Sequence, residues 1–213
     1  VVLSAFNPLG ASLPARASVV SPGDVLITEI CTDPQQDWST TDFNGVVSQG
    51  AVTSSDEFIE IYNASLQPID LTGWHLIMAD SDIDDVIITA DLMKNEQPSG
   101  DITKFLPGSY LVLGNPLGSM NNDVLIELFD GPKATAQLIN KVALGNYDDG
   151  STADNAPNGD ANSLLNEAVA RNKTTHTDVD STDFFKTSAS LGLENPRFNH
   201  TPVIDVAYDS EGI

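Results

Sequence analysis

The chain has 213 residues, 40% of them hydrophobic, enough to bury a substantial core and to exclude wholesale disorder. Thirty-one acidic against nine basic side chains leave a net charge of −22, which opposes docking on nucleic-acid phosphates or anionic lipid. Cys31 is the single cysteine, so an intrachain disulfide and a Cys/His zinc framework are excluded, and no apolar run is long enough for a membrane-spanning helix.

In chain order, residues 1–24 read as an extended apolar tail. Ala15-Arg16-Ala17-Ser18 is like a signal-cleavage site, but Asn7, Pro8 and Gly10 interrupt what would be the apolar segment of a signal peptide. A retained tail is therefore preferred, folding back on its own domain or adding as a donor strand to a neighbour's sheet. The residues expected at that subunit interface are Val1, Val2, Leu3, Phe6, Leu9, Val19 and Val20.

VLITEIC (25–31) predicts a strand, with Val25, Ile27 and Cys31 on one side and Leu26 and Ile30 on the other. Residues 32–55 are polar and read as a long loop. DEFIEIYNASLQPIDLTGW (56–74) alternates Phe58, Glu60 and Tyr62 with Glu57, Ile59 and Ile61, as a half-buried strand does, then turns at Asn63 and closes on a Thr-Gly-Trp corner. His75-Leu-Ile-Met continues it. Residues 79–103 form a second insertion, with a short strand at 86–90. LPGSYLVLG (106–114), VLIELFD (124–130) and LINKVAL (138–144) predict three more strands, the last two a hairpin. After a polar loop at 145–162 come short extended pieces at 167–171 and 183–187 and a C-terminal strand at 203–208. The best helical fragment, NSLLNEAVA, is short. Many short strands with Gly and Pro punctuation predict an all-β sandwich.

VLITEI, DEFIEIYNAS with IDLTGWHL, LPGSYLVLG, NNDVLIELFDG, and EAVAR with DVDSTDFFKT and SLGLENP resemble, in this order, the motifs of the lamin-tail domain. Thr28 stands where that family often has Asn, and Leu191-Gly192 where it commonly has Pro-Gly. The resemblance covers residues 25–196 and implies an immunoglobulin-like β-sandwich with long loop insertions, mostly extracellular in bacteria and archaea. It leaves out the N-terminal tail and a C-terminal extension, 197–213, with one extra strand. It implies a structural or binding module rather than an enzyme.

Three acidic clusters are candidates for calcium, which takes six to eight oxygen ligands. They are Asp178, Asp180 and Asp183; Asp148, Asp149, Asp154 and Asp160, with nearby Asn155 and Asn158; and Asp82, Asp84 and Asp85. The bland alternative is that Asp and Asn fill turns for local hydrogen bonding. Catalytic candidates are weak: Glu57 and Glu60 fall on opposite strand faces, and Glu29 can approach Glu60 across the sheet, but as a structural position. His75, His176 and His200 lack ligand spacing, and no nucleophile elbow or phosphate loop occurs. Phe184-Phe185 reads as one core ring and one edge ring, with a sugar-stacking surface as the alternative.

The expected function is therefore an exported, extracellular or cell-surface structural protein, a homo-oligomer or polymer built by N-terminal strand addition with possible calcium bridging. The alternatives are a monomeric adhesion module for carbohydrate or matrix, and an accessory domain of a larger secreted enzyme.

Overall fold

The computed structural model describes residues 20–46, 50–79, 85–94, 101–115, 119–161, 167–172 and 176–196. Strand formation follows the β-branched and aromatic runs: β1 (Val25–Cys31), β2 (Phe58–Asn63), β3 (His75–Ala79), β4 (Asp85–Ile87), β5 (Met93–Lys94), β6 (Tyr110–Gly114), β7 (Leu125–Phe129), β8 (Leu138–Ala143), β9 (Glu167–Arg171) and β10 (Phe184–Ser188). All named pairings are antiparallel. One sheet runs β10-β9-β1-β2-β6-β5 and the other β4-β3-β7-β8. The chain is thus an immunoglobulin-like β-sandwich, as the sequence predicts. The second insertion links the layers, because β4 pairs with β3 in one sheet and β5 with β6 in the other.

The core between the sheets takes Val25, Ile27, Ile30, Ile59 and Ile61 from the larger sheet and Leu76, Met78, Ile126, Leu128 and Val142 from the smaller, with Trp74 among them. Here the sequence reading of β1 is corrected. Ile27 stands opposite Ile61 and Glu29 opposite Glu60, so Thr28 and Glu29 together face one residue of β2. This bulge inverts the alternation beyond it. Ile30 consequently joins Val25 and Ile27 inside, while Cys31 lies with a second cluster.

That second cluster corrects the reading of β2 as half-buried. Cys31, Phe58, Val112 and Ala168 on the outer face of the larger sheet pack with Trp38, Phe43 and Leu191. The described residues of 32–57 therefore form a cover anchored by Trp38 and Phe43, not a wholly solvated loop. It has two 3-10 turns, Ser39–Thr41 and Ser54–Asp56. The Asp56 carboxylate holds them together, accepting from the N–H groups of Ser39 (2.8 Å) and Thr53 (2.8 Å). Phe43 adopts a left-handed φ of 56°, and its ring closes on Phe58 edge-on at 6.2 Å. Such a backbone costs about 1–3 kcal/mol, which full burial of a Phe, worth about 1.5–3 kcal/mol, offsets. Gly114 makes the approach feasible, because a Cβ there would meet Phe43 at 2.5 Å.

Of NSLLNEAVA, residues 167–170 belong to β9, and 162–166 lie outside the described residues. The only α-helical turn among the described residues is α1 (Asp180–Asp183). The strand predicted at 203–208 also lies outside them.

Candidate functional site

Among the described residues the acidic clusters do not converge on a shared cation site. Asp183 is wholly buried and carries an ion pair with Arg171, whose Nη1 donates to its Oδ2 at 2.7 Å. The Thr177 N–H and hydroxyl donate to the same carboxylate, each at 2.8 Å. Arg171 in turn donates from Nε to the Ile27 carbonyl at 2.8 Å and stacks over Phe184 at 4.3 Å. Asp183 is thus a fastener between β9, β1 and the turn before β10, and its assignment as a calcium ligand gives way to this role. Asp180 accepts from the Ala143 N–H at 2.9 Å, capping the outer edge of β8, and burial above all raises its carboxyl to about 6. Asp178 stays exposed with a left-handed φ of 61°, its carboxylate 3.2 Å from His176 Nε2. A shallow cleft of about 220 Å³ lies here, lined by Pro22, Asn140, Lys141, His176, Asp178 and Asp180.

In the second cluster, Asp149 pairs with Lys141 at 3.1 Å, and this hydrogen bond lowers its carboxyl below the usual value. Asp148 closes a turn on the Gly150 N–H at 3.0 Å, and the Asp154 carbonyl accepts from Ser181. Asp160 is held by the side-chain amides of Asn122 and Asn158. In the third, Asp85 contacts His75 Nδ1 at 2.6 Å, while Asp82 and Asp84 lie outside the described residues. Among the described residues, no group of three or more His, Cys, Asp or Glu side chains converges to hold a metal ion.

The densest polar site is one that composition and spacing barely signalled. The bulge in β1 sets Glu29 beside Glu60, both fully buried, on the outer sheet face. A strap from Ser190 to Asn195 crosses them. The Ser190 N–H donates to both Glu29 oxygens at 3.0 Å, its hydroxyl to Glu29 at 3.1 Å, and the Leu191 N–H to Glu29 at 3.3 Å. Glu60 accepts from the Gly192 N–H at 2.6 Å and from the Thr28 hydroxyl at 2.7 Å. Asn195 completes the clamp by donating to the Thr28 carbonyl at 2.7 Å. Burial pushes Glu29 up to about 7, and burial reinforced by the Glu29 charge pushes Glu60 well above its usual value. Glu57 points away from them and accepts from the Met120 N–H at 2.6 Å. The pair occupies no cleft open to a substrate, since the strap's own N–H groups fill its acceptor positions.

The remaining sequence candidates fall as follows. Val20 packs, partly buried, against its own core. It also lines a groove of about 380 Å³ with Asp24, Ala64, Leu66 and Ile69. Val1, Val2, Leu3, Phe6, Leu9 and Val19 lie outside the described residues. Phe184 is a core ring and Phe185 a half-buried one. Asn63, at the end of β2, is fully buried and donates to the carbonyls of Phe105 (2.7 Å) and Gln67 (3.0 Å).

Within this frame, the family model described as Lamin Tail Domain matches residues 18–183, well over half of the chain. The chain belongs to the lamin-tail domain family. No curated protein and no solved structure is matched. The family is one of immunoglobulin-like structural domains and is not typically enzymatic. In this lamin-tail domain the matched stretch runs from before β1 through α1, so β10 and the strap follow it while sharing the same sheet and core. Both carboxylates of the buried pair lie within the matched segment and their backbone donors lie beyond it.

Proposed function

We propose that this lamin-tail domain is an exported structural protein, assembling outside the cell into a filament or surface layer by lending its apolar N-terminal segment as a strand to a neighbour. One observation carries the proposal. The larger sheet ends on β10, five residues (Phe184–Ser188) with no strand on their outer side among the described residues. Such an edge accepts an added strand through its backbone, with alternate apolar side chains fixing the register. Residues 1–19 supply Val1, Val2, Leu3, Phe6, Leu9 and Val19 for that purpose. Head-to-tail repetition of one such contact gives an open fibre. Calcium enters as a bridge between acidic subunits rather than as an ion caged within one, because it then offsets the repulsion of a −22 chain.

Electron microscopy of the full chain and of a chain lacking residues 1–19, each with calcium and with chelator, tests this. Polymers are expected from the full chain and monomers from the deletion; undiminished polymers from the deletion would reject strand donation.

A second reading, a monomeric carbohydrate- or matrix-binding module, draws on Tyr62 and Tyr110. Their half-buried rings lie 4.6 Å apart on neighbouring strands, a platform of the kind sugars stack on. It predicts a monodisperse monomer that retains glycan whatever the length of its tail.

A further inference from the structure

The strap from Ser190 to Asn195 crosses the outer sheet face without strand or helix hydrogen bonds of its own. Its N–H groups at Ser190, Leu191 and Gly192 instead donate to Glu29 and Glu60, and beneath it Leu191 packs with Cys31, Phe58, Val112 and Ala168. We propose that this strap is a proton-controlled cover: it closes over the β1–β2 face while Glu29 and Glu60 together keep a proton, and opens when both carboxylates are ionised.

The geometry sets the requirement. Two carboxylates side by side in a water-excluded site cannot both carry charge without a cation to compensate. Among the described residues, the charged and titratable groups around them do not provide one. On and after β1 these are Cys31 and Asp33; on and before β2, Tyr62 and Glu57; on β6, Tyr110; in the strap, Glu194. From β9 the residue opposite Glu29 is Ala170. Lys94 on β5 stands two strands from Glu60, across Val112, and its ammonium lies 3.6 Å from Asp42. Among the described residues the cations on the neighbouring strands are engaged elsewhere, Lys94 with Asp42, Arg171 with Asp183 and Lys186 with Glu167.

The site also has a place for the proton. The Thr28 hydroxyl lies 2.7 Å from Glu60 Oε1 and 3.3 Å from the Glu60 carbonyl. It can donate to that carbonyl while accepting from a protonated Glu60, so the neutral acid keeps a partner and Glu29 keeps the charge its three donors favour. Burial raises both carboxyls, Glu29 to about 7 and Glu60 well above its usual value. In an open strap both are solvated and titrate near the ordinary 4.5. The closed form therefore binds more protons. Closure is favoured at acid pH and weakens as pH rises from 4.5 through about 7 and as Glu60 ionises.

Cys31, the sole thiol and buried under Leu191, reports on the cover. Its alkylation by a neutral reagent is measured across pH in the full chain and compared at each pH with the urea-unfolded chain, which removes the ordinary effect of thiolate formation. Protection is expected to fall at least tenfold between pH 6 and pH 9 while the far-ultraviolet circular dichroism stays constant. Glu60→Gln keeps an acceptor for Gly192 and cannot ionise, so its protection is expected to persist to pH 9. Equal protection at both pH values in the parent, or the same pH profile in the variant, would overturn the proposal. Should Glu60→Gln not fold, the carboxyl carbon resonances of the parent decide: Glu60 still protonated at pH 7 supports the cover, and Glu60 already ionised at pH 6 refutes it.

Discussion

Asp183→Asn isolates what the buried Arg171–Asp183 pair does. The substitution keeps the side chain's shape and an acceptor for Thr177, but leaves the Arg171 guanidinium in a fully buried site with no opposite charge at 2.7 Å. Breaking a buried pair by removing one partner costs about 3–5 kcal/mol, far more than the pair's net worth against a neutral replacement. Folded domains hold a margin of only about 5–15 kcal/mol, so the variant sits near the edge of stability. In a chain of this length each kcal/mol moves Tm by about 2–4 °C, and the expected fall is on the order of 10 °C. Arg171→Met should cost a similar amount, since it strips the Ile27 carbonyl of its Nε donor and strands Asp183. Combined, Arg171→Met and Asp183→Asn remove both charges, and their joint cost should be smaller than the sum of the two by about 2 kcal/mol or more. Urea unfolding of the four proteins at one pH measures the cycle. Strict additivity, or a loss below about 1 kcal/mol for Asp183→Asn, would refute the account of Asp183 as a fastener and reopen it as a metal ligand.

Gly114→Ala should cost about 1–3 kcal/mol by overpacking, because the new Cβ meets Phe43 and Lys94, and Phe43→Leu in the same chain should recover part of that loss in urea titrations. Asp180 has a carboxyl raised from 3.8 to about 6 by burial, so the folded state binds the extra proton and stability falls as pH rises through that interval. After allowance for its partial exposure the effect is about 1–2 kcal/mol; Asp180→Asn, which can still accept from Ala143, should flatten this part of the stability profile between pH 4 and pH 7. An unchanged slope would show that Asp180 titrates alike in both states.

The sandwich was legible because its strands carry period-two or β-branched runs between Gly and Pro turns, and β1, β2, β3, β6, β7 and β8 lie where those runs predict. The inverted half of β1 was not legible. A bulge adds one residue to a ladder, and nothing in VLITEIC distinguishes a regular strand from one slipped at Thr28. The polar composition of 32–57 reads as solvent-facing, yet two aromatic anchors, Trp38 and Phe43, decide the fate of its described residues. Those two residues, in a loop otherwise poor in large side chains, were the available signal. For the acidic clusters, spacing says only that carboxylates are near in sequence. Whether they converge depends on which N–H groups and cations reach them first: Lys141, Ala143 and Arg171 come from other strands. Glu29 and Glu60 were recognisable as neighbours across a sheet; their burial was not, because the strap that covers them begins 130 residues after Glu60.

The central position of β1 has a consequence for how the chain reaches its native state. Its neighbours are β2, soon after it, and β9, near the other end. Ile27 alone is tied through its N–H to Asn140 and through its carbonyl to Arg171, residues 113 and 144 positions away. Contacts so distant require large loops to close before any reward is gained, which slows folding and leaves apolar strands bare meanwhile. A polypeptide emerging from the ribosome N-terminus first holds its middle strand without a completed sheet until nearly all of the domain has been synthesised. During that interval its heavy negative charge keeps unfinished copies apart.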